Sequence, residues 1–380
     1  MLKALLSLLL HAAAAVPLVD LFVANTGFPT CYRQPVLVAI NSTHLLAFAE
    51  GRDNGGYCSG AADGTNSSIW VRSSHDAGST WAPAIMLFDA PPMPDYLSAV
   101  HDERAGRTLL LIQTTPNLIS HSDDAGKTWS KPAPLAITLP AGYTASPGVA
   151  HGIQLRGDLC AEPTCGGAAG RLVVAWVCHG KKVRAAAPQA ASSDVSCPGC
   201  YSCLATSDDG GAHWAVAPGA ISLPQEGSRE ASLVQLRSAA HASTSAVVYA
   251  TERNMGSTPG HRWHAVSVDG GRSLSIFGND SALPDGDTKN WTGIVAGAAR
   301  IGESVFVSTP QAVGERADMA LFRSNDEAGS WGVGKLFQGG PAGYSDMAAL
   351  NSTHGAVLFE NGAKEFAAKI SFAVFEAAVW

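Results

Sequence analysis

The sequence predicts an all-β fold, a β-propeller of six four-stranded antiparallel blades, on the strength of three observations. The first is a hairpin signature of eight residues that occurs five times, beginning with Ser74-His75-Asp76-Ala77-Gly78-Ser79-Thr80-Trp81. Further copies run Ser122–Trp129 and Ser207–Trp214, and two worn ones run Ser267–Leu274 and Ser324–Trp331. The common form is Ser-x-Asp-x-Gly-x-Thr-Trp. In such a turn the Asp carboxylate folds back on the turn's own N–H groups, Gly supplies φ > 0, and Trp packs beneath as an apolar plug. The second observation is spacing. The copies begin at 74, 122, 207, 267 and 324, so the intervals are 48, 85, 60 and 57 residues, the size of a repeated sheet. The third is composition: 40 Gly, 21 Pro and only 15% charged residues, with short Val/Ile/Leu runs between turn clusters, as all-β chains have.

One six-bladed propeller uses nearly all of the 380 residues, so 17–380 reads as a single propeller. The start reads differently. Lys3, the apolar stretch Ala4 to Leu10, His11 and then Ala12 to Ala15 have the layout of a secretory signal over residues 1–16. A buried first strand or helix is the alternative. The signal predicts a secreted or lumenal protein, and sequons at Asn41, Asn66, Asn279, Asn290 and Asn351 agree with that route.

Eight cysteines suit the same oxidising compartment. Six of them, Cys160, Cys165, Cys178, Cys197, Cys200 and Cys203, fall in the longest interval between signatures. They predict a Cys-rich, disulfide-stapled surface insertion around 157–203 rather than a zinc site, because no histidines stand at finger spacing. Their connectivity stays open. A net charge of −7 with no basic run argues against nucleic acid as a partner. Beyond the start, no apolar stretch of about 20 residues offers a membrane span.

Chemistry enters with Tyr32-Arg33-Gln34-Pro35-Val36-Leu37-Val38, an arginine set just ahead of a Pro-initiated apolar strand. A lone arginine there would ordinarily be a surface residue of a strand-leading turn. This segment, however, is similar to the Phe/Tyr-Arg-Ile-Pro motif that precedes the first Asp-box hairpin of exo-sialidases, with Gln34 in place of the Ile. In that order of motif and boxes the chain resembles the non-viral exo-α-sialidase family over essentially its whole mature length.

The resemblance implies a set of site residues. Three arginines would bind a sugar carboxylate: Arg33, Arg253 in Tyr249-Ala250-Thr251-Glu252-Arg253-Asn254, and Arg316 in Glu315-Arg316-Ala317-Asp318-Met319. Guanidinium suits that task because its planar paired donors match a carboxylate and it stays charged at any working pH. Glu360 would orient the first arginine, and Arg52 would lie near the ring substituents. Asp63, on a loop eleven residues ahead of Ser74, would be the acid/base, with Asp53 as its competitor. Tyr344, in Gly343-Tyr344-Ser345-Asp346-Met347, would be the nucleophile; a neutral phenol avoids repulsion by the carboxylate on the anomeric carbon. Since a phenol titrates near 10, it needs a base, and Glu230 matches, with Glu226 nearby. His151 fits equally a rim residue or a turn residue.

The implied activity is retaining hydrolysis of terminal sialic acids from sialylated glycoconjugates, with no metal or organic cofactor. The alternatives are transfer to an acceptor sugar and a non-catalytic sialoglycan-binding propeller, which would keep the arginines and lose the acid or tyrosine.

Overall fold

A computed structural model describes residues 16–53, 58, 67–89, 96–180, 199–255, 260–286 and 293–380. The segment read as a signal peptide and the loop carrying Asp63 lie outside these. The described chain is built of antiparallel strands joined by hairpins, packed as sheets around an axis. The first blade is Cys31–Ala39, Leu45–Arg52, Ser67–Ser74 and Ile85–Phe88; the second is Leu97–Asp102, Arg107–Ile112, Leu118–Ser122 and Ala133–Pro134. The third contains Tyr143–Pro147, Leu172–Gly180, Cys200–Ser207 and Trp214–Ala215, and the fourth Ser228–Leu236, Val247–Asn254, His261–Ser267 and Ile276–Pro284. Val19–Val23, Lys369–Glu376, His354–Asn361, Lys335–Ala349, Ala317–Ser324, Ser304–Pro310 and Gly297–Ile301 form one seven-stranded sheet. Its long strand Lys335–Ala349 pairs with Ala317–Ser324 through its first half and with His354–Asn361 through its second. That sheet is therefore two blades meeting on a shared strand, and the five sheets amount to six blades.

Closure comes from the two ends of the described chain. Val19–Val23 pairs with Lys369–Glu376 as the outermost strand of the last blade. The inner strand Cys31–Ala39 then packs against the inner strands of both the second and the sixth blades. This burial on all sides explains why Val36, Leu37 and Val38 form a continuous apolar run instead of an alternating one.

The repeated turns behave as their chemistry dictates. Asp76 accepts hydrogen bonds from Thr80 N–H (2.8 Å) and Thr80 Oγ1–H (2.6 Å), and Ser74 Oγ accepts from Gly78 N–H (2.9 Å). Trp81 donates its indole N–H back to the Gly78 carbonyl at 3.0 Å. Gly78 has φ 87°, and a Cβ there would sit 2.0 Å from the Phe372 ring of the neighbouring blade, so glycine is required for both conformation and space.

Two features depart from expectation. Short parallel pairings occur: Ile137–Thr138, ahead of the third blade, lies beside that blade's outer Trp214–Ala215, and Ala150–His151, between two third-blade strands, lies beside Ser98–Ala99 of the second blade's inner strand. The cysteines also do more than staple a surface insertion. Cys160–Cys165 closes a short loop, but Cys178–Cys203 links two buried adjacent strands of the third blade, and Cys31 bonds Cys58 outside that region altogether. Cys200 is also disulfide-bonded. Among the described residues no helix is long and apolar enough to cross a membrane.

Candidate active site

Local backbone distortion builds this site. The pairing of Cys31–Ala39 with its neighbour shifts register between Arg33 and Val36, and Gln34 takes φ 58°. A second shift falls between Arg229 and Ser232, where Glu230 has φ 50°, and a third falls between Ala342 and Ser345, beside Tyr344. Such bulges re-aim side chains that regular pleating would point elsewhere. Here they bring Arg33, Glu230 and Tyr344, from three different blades, to one place.

Tyr344 is the hub. The guanidinium carbons of Arg33, Arg253 and Arg316 lie 5.3, 5.7 and 5.2 Å from its ring centroid. Arg253 Nη1 donates to Tyr344 Oη at 2.8 Å and also bonds Glu230 Oε2. Tyr344 Oη lies 3.5 Å from the same Glu230 oxygen. Glu360 stands behind the group, fully buried, and accepts from Arg33 Nε at 2.7 Å and from Tyr344 N–H at 3.0 Å. It also accepts from the distorted Gln34 N–H at 3.0 Å, which helps hold the bulge.

Charge sets the protonation states. Burial pushes the Glu230 carboxyl up, but the Arg253 and Arg229 guanidiniums overcome that and hold it down at about 2. Arg316 is depressed by burial and by the neighbouring Arg253 and Arg33, yet guanidinium starts so high that it remains a cation. Four arginines around two carboxylates leave a cationic pocket shaped for an anion.

The other expected residues divide. Arg52 is buried and its guanidinium bonds Glu50 at 2.7 and 2.9 Å. Asp53 follows directly at the strand end, while Asp63 lies outside the described residues. Glu226 is exposed and accepts from Gly199 N–H at 2.9 Å, so Glu230 is the glutamate beside the phenol. His151 is no turn residue: Asp346 Oδ1 holds its Nδ1 at 2.8 Å, and Asp346 Oδ2 accepts the His151 and Leu37 backbone N–H groups. Although burial opposes its charge, Asp346 raises the His151 pKa. That pair joins inner strands of separate blades, two residues below the tyrosine.

Several participants escaped the sequence reading. Arg229 bonds Glu230 Oε1 at 3.3 Å and donates to Tyr96 Oη at 2.8 Å, and Tyr96 also hydrogen-bonds Glu230. Phe366 packs under Arg33 and Arg316, 5.3 and 5.0 Å from their guanidinium carbons. Arg229 was adjacent to a singled-out residue; Tyr96 and Phe366 sit in segments without periodicity. Beneath Arg253, Asp285 binds Arg262 Nη1 (2.5 Å) and Asn254 N–H (2.5 Å), fixing the strand end that delivers the arginine. Among the described residues no group of His, Cys, Asp and Glu is disposed to hold a metal ion.

The BNR repeat-like domain family matches residues 43–357. A sialidase of Micromonospora viridifaciens is 28% identical over 375 residues, covering 88% of this chain and 50% of its own, so the chain spans about half the length of that relative. In fold, a Hadza microbial sialidase superposes with a TM-score of 0.72 at 18% identity, covering 95% of this chain and 69% of that one. The intramolecular trans-sialidase of Ruminococcus gnavus superposes with a TM-score of 0.66 at 13% identity, covering 96% and 99%. The chain belongs to the BNR repeat-like domain family, with sialidases as its relatives in sequence and in fold.

Proposed function

We propose that this protein is a secreted, retaining exo-α-sialidase that releases terminal sialic acids from glycoproteins, glycolipids or oligosaccharides. The observation that carries the proposal is the cage of three guanidinium groups around one phenol, with a carboxylate on the phenol's oxygen. Arg33, Arg253 and Arg316 clamp the substrate carboxylate, and Arg52 lies by the ring substituents. Tyr344 Oη attacks the anomeric carbon while its proton passes to Glu230. The bond to the leaving oxygen breaks as Asp63 protonates it. Water then attacks the glycosyl–tyrosine bond, giving its proton to Asp63, and Glu230 returns the phenol proton. A tyrosine nucleophile departs from the two-carboxylate scheme of most glycosidases.

A carboxylate held at about 2 is a weak base in the empty site. Docking an anion on Arg253 shares that cation and raises Glu230's proton affinity, so the base is strengthened when substrate is present. The test is turnover of sialyl-lactose and of an aryl sialoside by wild type, Tyr344→Phe and Asp63→Ala. Asp63→Ala should lose about 10²–10⁴-fold on sialyl-lactose but far less on the aryl leaving group, which needs little protonation. Tyr344→Phe should lose activity on both. Equal losses for Asp63→Ala would move the acid role to Asp53. Sialoside binding without any turnover by the wild type would reject the enzyme reading in favour of a lectin.

A further inference from the structure

We propose that the seam between the fourth and fifth blades is a second carbohydrate site, one that takes a neutral hexosyl residue. A cavity of about 510 Å³ opens there, within the size range of small-molecule sites. Its walls come from the fourth blade (Tyr249, His264, Asn279 and Asp280), the hairpin residue His241, and Trp331 of the fifth signature turn. Tyr249 and Arg253 share a strand but stand four residues apart, about 13 Å along it, so the cavity is separate from the arginine cage.

Its polar groups are fixed in place. Asp280 is 7% exposed, accepts from Tyr249 Oη at 2.5 Å and lies 2.9 Å from His264 Nδ1. Two further buried polar atoms, Trp331 Nε1 and His241 Nε2, have no hydrogen-bond partner among the described residues. The indole is telling by contrast. In the first three turns the same N–H donates to a glycine carbonyl, from Trp81, Trp129 and Trp214 at 3.0, 3.2 and 3.1 Å. In the fifth turn Ala328 occupies the glycine position and Trp331 makes no such bond. A buried orphan donor is costly unless something satisfies it.

The chemistry around those atoms selects the ligand. Trp331 packs 6.1 Å from the Tyr249 ring, and Ile276 at the mouth is 44% exposed, which offers an apolar surface beside oriented donors and acceptors. A sugar ring has that same division between a C–H face and hydroxyls. Among the described residues the lining holds no Lys or Arg, and its two carboxylates, Asp280 and Glu327, are already engaged by His264 and Arg300, so nothing there would pair with a carboxylated sugar and a neutral one is accepted.

Lactose is the probe, followed by saturation-transfer NMR and titration, with the arginine cage blocked by excess 2,3-unsaturated sialic acid. Because Asn279 heads a sequon, its side chain is first checked by mass, and a glycan there on the secreted protein would fill the rim and overturn the proposal. Lactose should bind with the cage occupied. Trp331→Phe, which removes the N–H together with part of the indole surface, should weaken binding about three- to tenfold. Asn279→Trp, at an exposed position on the rim, should abolish it, and both variants should turn over a small aryl sialoside as wild type does. The proposal is overturned if lactose gives no signal, if the sialic acid analogue displaces it, or if Asn279→Trp leaves it unchanged. Lactose binding without sialoside turnover in the wild type would sink the catalytic reading and leave this one standing.

Discussion

Replacing Glu360 with glutamine tests the logic of the site most sharply. Both carboxylate oxygens are fully engaged: Oε1 accepts from Arg33 Nε (2.7 Å) and Gln34 N–H (3.0 Å), and Oε2 accepts from Arg33 Nη2 (3.3 Å) and Tyr344 N–H (3.0 Å). All four partners are donors. A glutamine amide must therefore turn its NH₂ toward two of them, whichever way it lies, and Arg33 loses its buried counterion. Breaking a buried pair by removing one charge typically costs about 3–5 kcal/mol. That is a large share of the roughly 5–15 kcal/mol that holds a domain folded. Urea titration with the slope fitted separately gives the stability loss, and titration with 2,3-unsaturated sialic acid reports the cage. Affinity should fall as well, because one carboxylate tethers both Arg33 and the strand bearing Tyr344. Asp123→Asn is the control; its pair with Arg107 is 56% and 38% exposed, so the midpoint should barely move. A loss below about 1 kcal/mol for Glu360→Gln, with wild-type analogue affinity, refutes the reasoning.

Three further outcomes are expected. Arg316→Lys keeps the charge but loses the planar fork, so binding of the unsaturated analogue should weaken by about 1–3 kcal/mol; unchanged affinity would remove Arg316 from the clamp. Burial raises the Glu252 carboxyl from 4.5 to about 8, so the fold keeps a proton that the unfolded chain has released between those pH values. The stability this contributes is complete below 4.5 and lost as pH rises through 8. Glu252→Gln should accordingly gain on wild type in urea midpoint between pH 5 and pH 8, and a constant difference would contradict the assignment. The Cys178–Cys203 bridge closes a separation of 25 residues, so the double serine variant should lose about 2–4 kcal/mol, and thiol titration of denatured wild type should find few or no thiols.

The sequence by itself determined what is local. Each signature turn closes its own bonds within eight residues, from Ser74 to Trp81, so its meaning survives without knowledge of the rest of the chain. Spacing between turns then sets the repeat, because each blade must bury its faces on the next. Arg33, Arg253, Arg316 and Tyr344 were legible through resemblance, as residue types in a certain order.

Only the tertiary structure decided how they meet. Arg33 and Glu360 are 327 positions apart and touch because the propeller closes. Tyr96 and Phe366 reach the cage from loops with no pattern to announce them. The bulges are illegible for a sharper reason: Gln34 and Glu230 adopt positive φ, which neither side chain favours locally. Such a conformation persists only where its surroundings over-determine it. For Gln34 the surroundings are the Glu360 carboxylate on its N–H, and for Glu230 the Arg253 and Arg229 cations on its side chain. Glu360 stands 326 positions from Gln34, so that distortion exists only once the ring of blades has closed, whereas the Glu230 bulge is held by its sequence neighbour and by the next strand of its own blade.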